Sequence, residues 1–137
     1  MNPIIKSIRR KLSLNSNIST NVSGRIYDTM RSQESALPAI IYVVIAGENE
    51  PSTSGNTTLQ RARVQIDAFD SDLSDCWDLF GDIRDTMDGL SDYTFSSVTI
   101  HSSRLVNYRE DHYSPTDGGE ALTFRITSDY RILFTED

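Results

Sequence analysis

The sequence has little of the chemistry on which most catalytic and metal sites depend. Its 137 residues include one cysteine, Cys76, and two histidines, His101 and His112. A single cysteine can form neither an intramolecular disulfide nor a zinc site, and neither histidine has a partner at ligand spacing. Nucleophile-elbow and phosphate-loop motifs are absent as well. We therefore predict a protein that is not an enzyme and that uses no metal or cofactor.

Long apolar runs are also missing. The longest, Ala36–Ala46, contains Pro38 and is about half of the ~20 residues that a membrane-spanning helix needs. The N-terminus lacks the apolar core of a secretory signal. We expect no membrane partner, and the length predicts one domain, 1–137, with a single core.

Positive charge is scarce and unevenly placed. The net charge of −7 argues against nonspecific nucleic-acid binding by the whole surface. A predicted helix starts at Asn2-Pro3 and fades near Leu14. Its polar side carries four basic residues, which could be a solvated face or a patch for nucleic acid or an acidic partner: Lys6, Arg9, Arg10 and Lys11.

The stretch from Ser71 to Gly89 has the clearest pattern in the chain. Apolar side chains recur at helical spacing, with Ser71 as the expected N-cap and Gly89 as the expected stop. The apolar stripe comprises Leu73, Cys76, Trp77, Phe80, Ile83 and Met87. Trp77 is at its edge, so core packing and a role as an interface anchor are both open. The opposite face is acidic and comprises Asp75, Asp78, Asp82 and Asp85. Three interpretations of it are open: a solvated surface, a cation site or a partner surface.

The remaining patterns predict strands and loops. A short strand is expected at 24–27, and longer strands at 38–46, 59–70, 93–113 and 120–134. Within 93–113 one side is predicted to carry Val98, Ile100, Ser102, Arg104, Val106 and Tyr108. Segments 15–24, 31–37, 47–57 and 114–119 read as polar connections. The predicted fold class is α+β, a mainly antiparallel sheet with one long amphipathic helix packed on it and a short N-terminal helix.

The order of these elements is similar to that of a known family. GRIY at 24–27 is followed by LPAIIYVV at 37–44, a polar loop, RVQIDAFD at 63–70, the helix and a long closing hairpin. Over about residues 2–134 the chain resembles the tail-completion, or tail-terminator, proteins of long-tailed bacteriophages. The strand ending in Asp67, Ala68 and Phe69 just before an amphipathic helix is the most telling piece of this resemblance.

The resemblance implies a structural role in the virion. Members of the family form a ring, commonly of six subunits, that ends polymerisation of the tail tube and joins the tail to the head or neck connector. The implied partners are further copies of the chain, the tail-tube protein, the connector and DNA passing through the lumen. Assembly would take place in the host cytoplasm. The alternative is a small binding module, or another neck protein, that uses the basic N-terminal helix.

Candidate interface residues follow from this reading. The loop 47–57 and the hairpin end 109–119 are expected to be mobile in the free subunit and to become ordered on assembly. The acidic aspartates become candidates for a lumen lining or a partner face. The candidate subunit or partner interface comprises Glu48, Asn49, Glu50, Arg61, Arg63, Trp77, Arg109, Glu110, Asp111, His112 and Tyr113.

Overall fold

The computed structural model describes residues 4–29, 36–49, 59–113 and 123–136. Within these ranges the chain forms three helices and one six-stranded sheet. The helices are α1 (Ile4–Leu14), α2 (Ser16–Val22) and α3 (Leu73–Met87). The strands are β1 (Ile26–Asp28), β2 (Ala39–Asn49), β3 (Leu59–Asp70), β4 (Tyr93–Phe95), β5 (Val98–Tyr113) and β6 (Thr123–Glu136).

The sheet is mixed, and it dominates the fold. Its strand order is β1-β2-β3-β6-β5-β4, with β1 parallel to β2 and every other pair antiparallel. The predicted fold class, a sheet carrying one long helix and a short N-terminal helix, is therefore wrong. Long strands are the main elements instead: β5 has 16 residues and β6 has 14, whereas α3 has 15 and α2 has only 7.

The second helix is the main element that the sequence analysis missed. Residues 15–24 were predicted to be a polar connection, yet α2 occupies most of them. The Asn15 side chain accepts hydrogen bonds from the backbone N–H groups of Asn17 and Ile18, which is an N-cap. Ile18 and Val22 are one turn apart and fully buried, so two apolar residues are enough to hold this short helix on the core.

Helix α3 lies where its periodicity predicts, with two differences. Asp72, not Ser71, is the N-cap, because its carboxylate accepts from the Asp75 N–H at 3.0 Å. Leu79 is buried within the helix, whereas Trp77 is 36% exposed. The three helices share one hydrophobic core with one face of the sheet, and α3 packs across β3, β5 and β6.

The predicted strand 93–113 is two strands joined by a tight turn. Ser96 and Ser97 both have positive φ, 51° and 68°, and connect β4 to β5. Two irregularities in β5, between Ile100 and Ser102 and between Leu105 and Asn107, change which residues face the helices. The predicted alternation therefore fails in the middle of the strand. Ser103 is fully buried beneath the helices, whereas Arg104 and Val106 are exposed.

The end of α3 meets the outer edge of β5. The Gly89 N–H donates to the Ser103 carbonyl at 2.7 Å, and the Leu105 N–H donates to the Asp88 carboxylate at 2.9 Å. Strand β4 pairs with β5 only as far as Ile100. In the described residues, no strand pairs with the outer edge of β5 beyond that point.

Several predicted loops lie wholly or partly outside the described residues. Residues 47–49 of the predicted loop 47–57 belong to β2, and residues 109–113 of the hairpin end belong to β5. The remainder of both segments, the predicted turn 114–119 and most of the predicted loop 31–37 are outside the described ranges. Their predicted mobility therefore stays a prediction. None of the described helices is long and apolar enough to cross a bilayer.

Candidate interaction surfaces

Strand register assigns side chains to the two faces of the sheet. Residues directly opposite each other on paired strands share a face. The face toward the helices carries the buried apolar residues of β3 and β6, such as Ile66 and Ile132. We call the other face, which carries the alternate residues of these strands, the open face. It is rich in charge and holds Arg61, Arg63 and Asp67 on β3, Arg125, Asp129 and Arg131 on β6, and Arg104, Arg109 and Asp111 on β5.

Charges are paired at one end of the open face, where β5 ends and β6 begins. We call this end of the β5–β6 pair the outer hairpin. The Arg125 guanidinium donates to Asp111 at 3.0 Å, and Arg109 approaches the same carboxylate at 3.4 Å. The hydrogen bond from Arg125 lowers the pKa of Asp111 below its ordinary value. These contacts join β5 to β6 within the outer hairpin and keep Asp111 ionised.

Asp67 is a buried carboxylate on the same face. It is 7% exposed, and the Gln65 amide donates to both of its oxygens at 3.3 Å. Burial raises the pKa of Asp67, although the Thr127 hydroxyl and the nearby Arg125 act in the opposite direction. A buried carboxylate with a raised pKa can mark a catalytic acid. Asp67 has an arginine, an amide and the Thr127 hydroxyl around it, and no histidine or second carboxylate contacts it among the described residues, which fits a structural role.

Three arginines lie in direct register across three strands of the open face. Arg131 on β6 is opposite Arg63 on β3 and opposite Arg104 on β5. We call these residues the arginine row. Arg63 donates to Asp129 at 2.9 Å. Neither Arg104 nor Arg131 has a carboxylate partner among the described residues, and both side chains are exposed.

An aromatic cluster lies at the edge of the opposite face. The rings of Trp77 and Phe80 are 5.6 Å apart, and Tyr108 on β5 is 6.1 Å from Trp77 and 5.1 Å from Phe80. The Trp77 indole N–H donates to the Glu110 carboxylate at 2.8 Å. Phe80 is buried, whereas Trp77 is 36% and Tyr108 49% exposed. Trp77 thus packs against the buried Phe80 while about a third of its side chain stays exposed, so it is a candidate interface anchor.

The acidic face of α3 consists of Asp75, Asp78, Asp82 and Asp85. All are exposed except the partly buried Asp82, whose carboxylate is 3.5 Å from the Asn17 amide of α2. The negative charge of Asp72, together with that of Asp70 and Asp78, raises the pKa of Asp75. Burial, and then the charges of Asp85 and Asp78, raise the pKa of Asp82. The Asn17 amide opposes this effect at Asp82 and so offsets the mutual repulsion along the face in part.

Most of the basic N-terminal residues contact their own chain. The Lys11 ammonium is 5.0 Å from the centre of the Tyr93 ring, and the Arg10 guanidinium is 5.6 Å from that of Phe95. Arg9 donates to the Ile26 carbonyl. Lys6 is exposed. Three of the four side chains thus help to join α1 to β4 and β1.

The structure brings some of the predicted interface residues together and leaves others apart. Trp77 and Glu110 are in contact, Arg109 and Asp111 are in contact, and Arg61 and Arg63 lie along β3 on the open face. His112 is 6.4 Å from the Phe124 ring, whereas His101 contacts the Thr135 hydroxyl at 3.0 Å. Glu48 and Asn49 are at the end of β2 and Tyr113 at the end of β5, and Glu50 is outside the described residues.

Sequence reasoning missed Arg104, Arg125, Arg131 and Tyr108 as members of these surfaces. Arg104 was predicted to share one side of the strand with Val98, Ile100 and Tyr108, because the two irregularities are not visible in the alternation. The arginine row depends on which residues of three strands are opposite each other. The spacing of residues within a single strand carries no signal for that arrangement.

The described residues contain no group of histidine, cysteine and carboxylate side chains arranged to hold a metal ion. Cys76 is buried in α3, and its thiol is 3.4 Å from the Ala68 carbonyl. Burial raises the pKa of this thiol to about 12, so it stays protonated at neutral pH. Its role is that of a small core residue.

Comparison with known proteins agrees with a structural role in a virion. The family described as tail completion protein gp17 matches residues 6–135. A chain in the solved virion of a native gene transfer agent particle has a similar fold, with a TM-score of 0.66 at 12% identity. The match covers 93% of this chain and 91% of that one. No curated protein sequence matches the chain.

The mixed sheet with helices on one face is thus a fold that this chain shares with a chain of the gene transfer agent particle. The family match spans nearly the whole chain, so the protein belongs to the tail completion protein family. It is a structural component of the virion tail. The resemblance drawn from the order of its sequence elements is confirmed.

Proposed function

We propose that the chain forms a homo-oligomeric ring at the head-proximal end of a phage tail. The ring ends polymerisation of the tail tube and joins the tail to the neck, and DNA passes through its lumen. The subunit count is commonly six in proteins that the sequence resembles. The family match over residues 6–135 is the observation that carries this proposal.

The surfaces of the subunit support an assembly role without catalysis. A ring needs two different patches that meet on neighbouring subunits. The aromatic cluster, the acidic face and the arginine row are separate surfaces whose composition suits contacts with other protein surfaces. We expect no enzymatic activity and no required metal.

The alternative binding module, with the basic N-terminal helix as its contact surface, is less favoured. Arg9, Arg10 and Lys11 contact the chain itself, as described above. Lys6, Arg9 and Arg10 remain exposed, but only Lys6 has none of these contacts within the chain. The arrangement of these residues favours a role in packing α1.

Mass photometry and negative-stain microscopy of the purified chain test the ring directly. We expect a closed ring at micromolar concentration. In infected cells, loss of the protein should give tails of irregular length, or tails and filled heads that fail to join. Normal, joined tails in its absence would rule out the proposed role.

Trp77 offers a test at the residue level. Trp77→Ala should weaken assembly or joining because it removes a large side chain that is one-third exposed. Leu14→Ala is the matched control, since Leu14 is an exposed apolar residue on α1. Both variants should retain a cooperative thermal transition. Equal assembly of the two would exclude Trp77 from the interface.

A further inference from the structure

The arginine row holds positive charge, of which only that of Arg63 is paired with a carboxylate among the described residues. Like charges directly opposite each other on paired strands destabilise a sheet. Arg131 has an arginine opposite it on both sides, and Asp129 approaches only Arg63 among the three. A neutral or acidic residue at position 104 or 131 would remove this repulsion. The two arginines therefore lower the stability of the free subunit, and binding of an acidic partner would offset this repulsion.

The row also borders a recess in the surface. A cavity of about 400 Å³ lies between Arg131, Arg104, Leu133 and Val106. A smaller one, of about 220 Å³, lies on the other side of Arg131, next to Arg63 and Ala46. Side chains from another molecule could thus approach the guanidinium groups from either side of Arg131.

The acidic face of α3 matches the row in charge and in spacing. Adjacent strands are about 4.8 Å apart, so the row spans roughly 10 Å from Arg63 to Arg104. Asp78 and Asp85 are seven residues apart on one side of α3, which is also roughly 10 Å along the helix axis. Asp82 lies between them. A helix that crosses the strands could therefore set its carboxylates against the three guanidinium groups.

We propose that the arginine row binds the acidic face of α3 of a neighbouring copy of this chain. This inference rests on the proposed ring and identifies one of its subunit contacts. The arginine row is on the open face, whereas α3 packs on the opposite face with its aspartates directed outward. One subunit cannot join its own two surfaces, but head-to-tail subunits use both. A closed ring leaves neither surface unpaired.

Double-stranded DNA is the competing ligand for a row of arginines, and it is less favoured. The open face also carries Asp67, Asp111 and Asp129, which reduce the attraction of its arginines for phosphate groups. The net charge of the chain, −7, acts in the same direction. A carboxylate-bearing helix can instead place its charges on the row alone.

Charge reversal of either surface tests the contact. Arg131→Glu and Asp78→Lys should each raise the concentration needed for half-assembly by about ten-fold or more, as for a close charge pair at an interface. Lys6→Glu and Glu136→Lys are the matched controls, because each makes the same charge change at an exposed residue outside both surfaces. The controls should assemble like the wild type, and all four should melt cooperatively.

Mixing the two defective variants distinguishes this contact from a general loss of assembly. The Arg131→Glu chain keeps its acidic face, and the Asp78→Lys chain keeps its arginine row. Together they should assemble again as alternating copies, because the two intact surfaces meet at one contact and the two reversed surfaces meet at the next. A single chain carrying both changes should assemble again, because each reversed surface meets its reversed partner.

The outcomes separate this inference from the proposed function. Wild-type rings together with unchanged assembly of both variants would overturn the inference and leave the ring standing. If Arg131→Glu abolished binding to duplex DNA while the ring mass stayed the same, DNA would replace the acidic face as the ligand. A wild-type chain that remained monomeric at every concentration would overturn both proposals.

Discussion

At the scale of single residues, Asp67 connects pH to stability. Its pKa is raised in the folded chain, mainly by burial, so the folded state holds the proton more tightly than the unfolded state does. The stability that it contributes is therefore greatest below its ordinary value of 3.8 and is lost as pH rises through the folded pKa. Ionisation of Asp67 therefore lowers the stability of the folded chain.

Asp67→Asn should consequently raise the melting temperature at pH 7, and the gain should shrink as the pH approaches 3.8. The amide keeps an acceptor for the Gln65 side chain. Asp92→Asn is the control, since Asp92 is exposed and asparagine tolerates its positive φ. Thermal melts across this pH range provide the measurement. A lower melting temperature for Asp67→Asn at pH 7 would mean that the nearby arginines outweigh the burial of the carboxylate.

Phe80 is a large α3 side chain that packs in the core. It is 4% exposed and contacts the rings of Trp77 and Tyr108. Phe80→Ala should reduce the free energy of unfolding by roughly 3–5 kcal/mol, because it leaves a cavity beneath the helix. Chemical denaturation checks this value against Leu14→Ala, which removes an exposed side chain. Similar midpoints for the two variants would contradict the packing described for α3.

At the scale of elements, prediction succeeded where one segment carries its own pattern. The position of α3 follows from an apolar stripe within one continuous stretch. Helix α2 has only two apolar residues on its buried side, Ile18 and Val22. Because its other residues are polar, the sequence shows no clear helical periodicity there. In β5, two irregularities interrupt a strict alternation, and the predicted face is wrong between them. Local periodicity cannot reveal an extra residue that only the pairing with β6 makes visible.

The β4–β5 turn contains residues that do not favour its backbone conformation, so substitutions there should raise the stability of the chain. Ser96 and Ser97 both occupy the left-handed region in a two-residue hairpin. Asparagine followed by glycine suits such a turn far better than serine does. Ser96→Asn combined with Ser97→Gly should stabilise the chain by about 1 kcal/mol, because the left-handed conformation costs an ordinary residue roughly 1–2 kcal/mol and glycine little. The shift of the urea midpoint measures this gain. Valine at both positions should have the opposite effect, and a midpoint lowered by Asn-Gly would contradict the turn geometry.

At the scale of the whole molecule, the strand order of the sheet could not be predicted because it depends on pairings between distant segments. Strand β1 has three residues and pairs in parallel with β2. No local signal in the sequence indicates this pairing. The long closing hairpin was predicted correctly because β5 and β6 are neighbours in sequence with a turn signal between them. The arginine row could not be predicted, because it depends on the register of β6 with both β3 and β5.

The outer hairpin offers a test of assembly that leaves the core intact. Deletion of residues 111–118 removes the end of β5, whose described side chains contact only the hairpin itself through Arg109, Arg125 and Phe124. We expect a folded subunit with a near-normal melting temperature and weaker self-association. Circular dichroism melts and mass photometry measure the two properties. Loss of the cooperative melt, or assembly equal to that of the full chain, would exclude a separate assembly role for this segment.

The brief β4 strand has a consequence for the protein's behaviour in a crowded infected cell. Past Ile100 the outer edge of β5 has only the contacts of Asp88 and Gly89, at Leu105 and Ser103, in the described part of the chain. Bare strand edges recruit other strands and lead to aggregation. An irregularity and the charged run Arg109, Glu110 and Asp111 follow on this edge, and both disfavour unplanned pairing. These charges therefore help to keep newly made subunits soluble, whatever else they contact once the tail is complete.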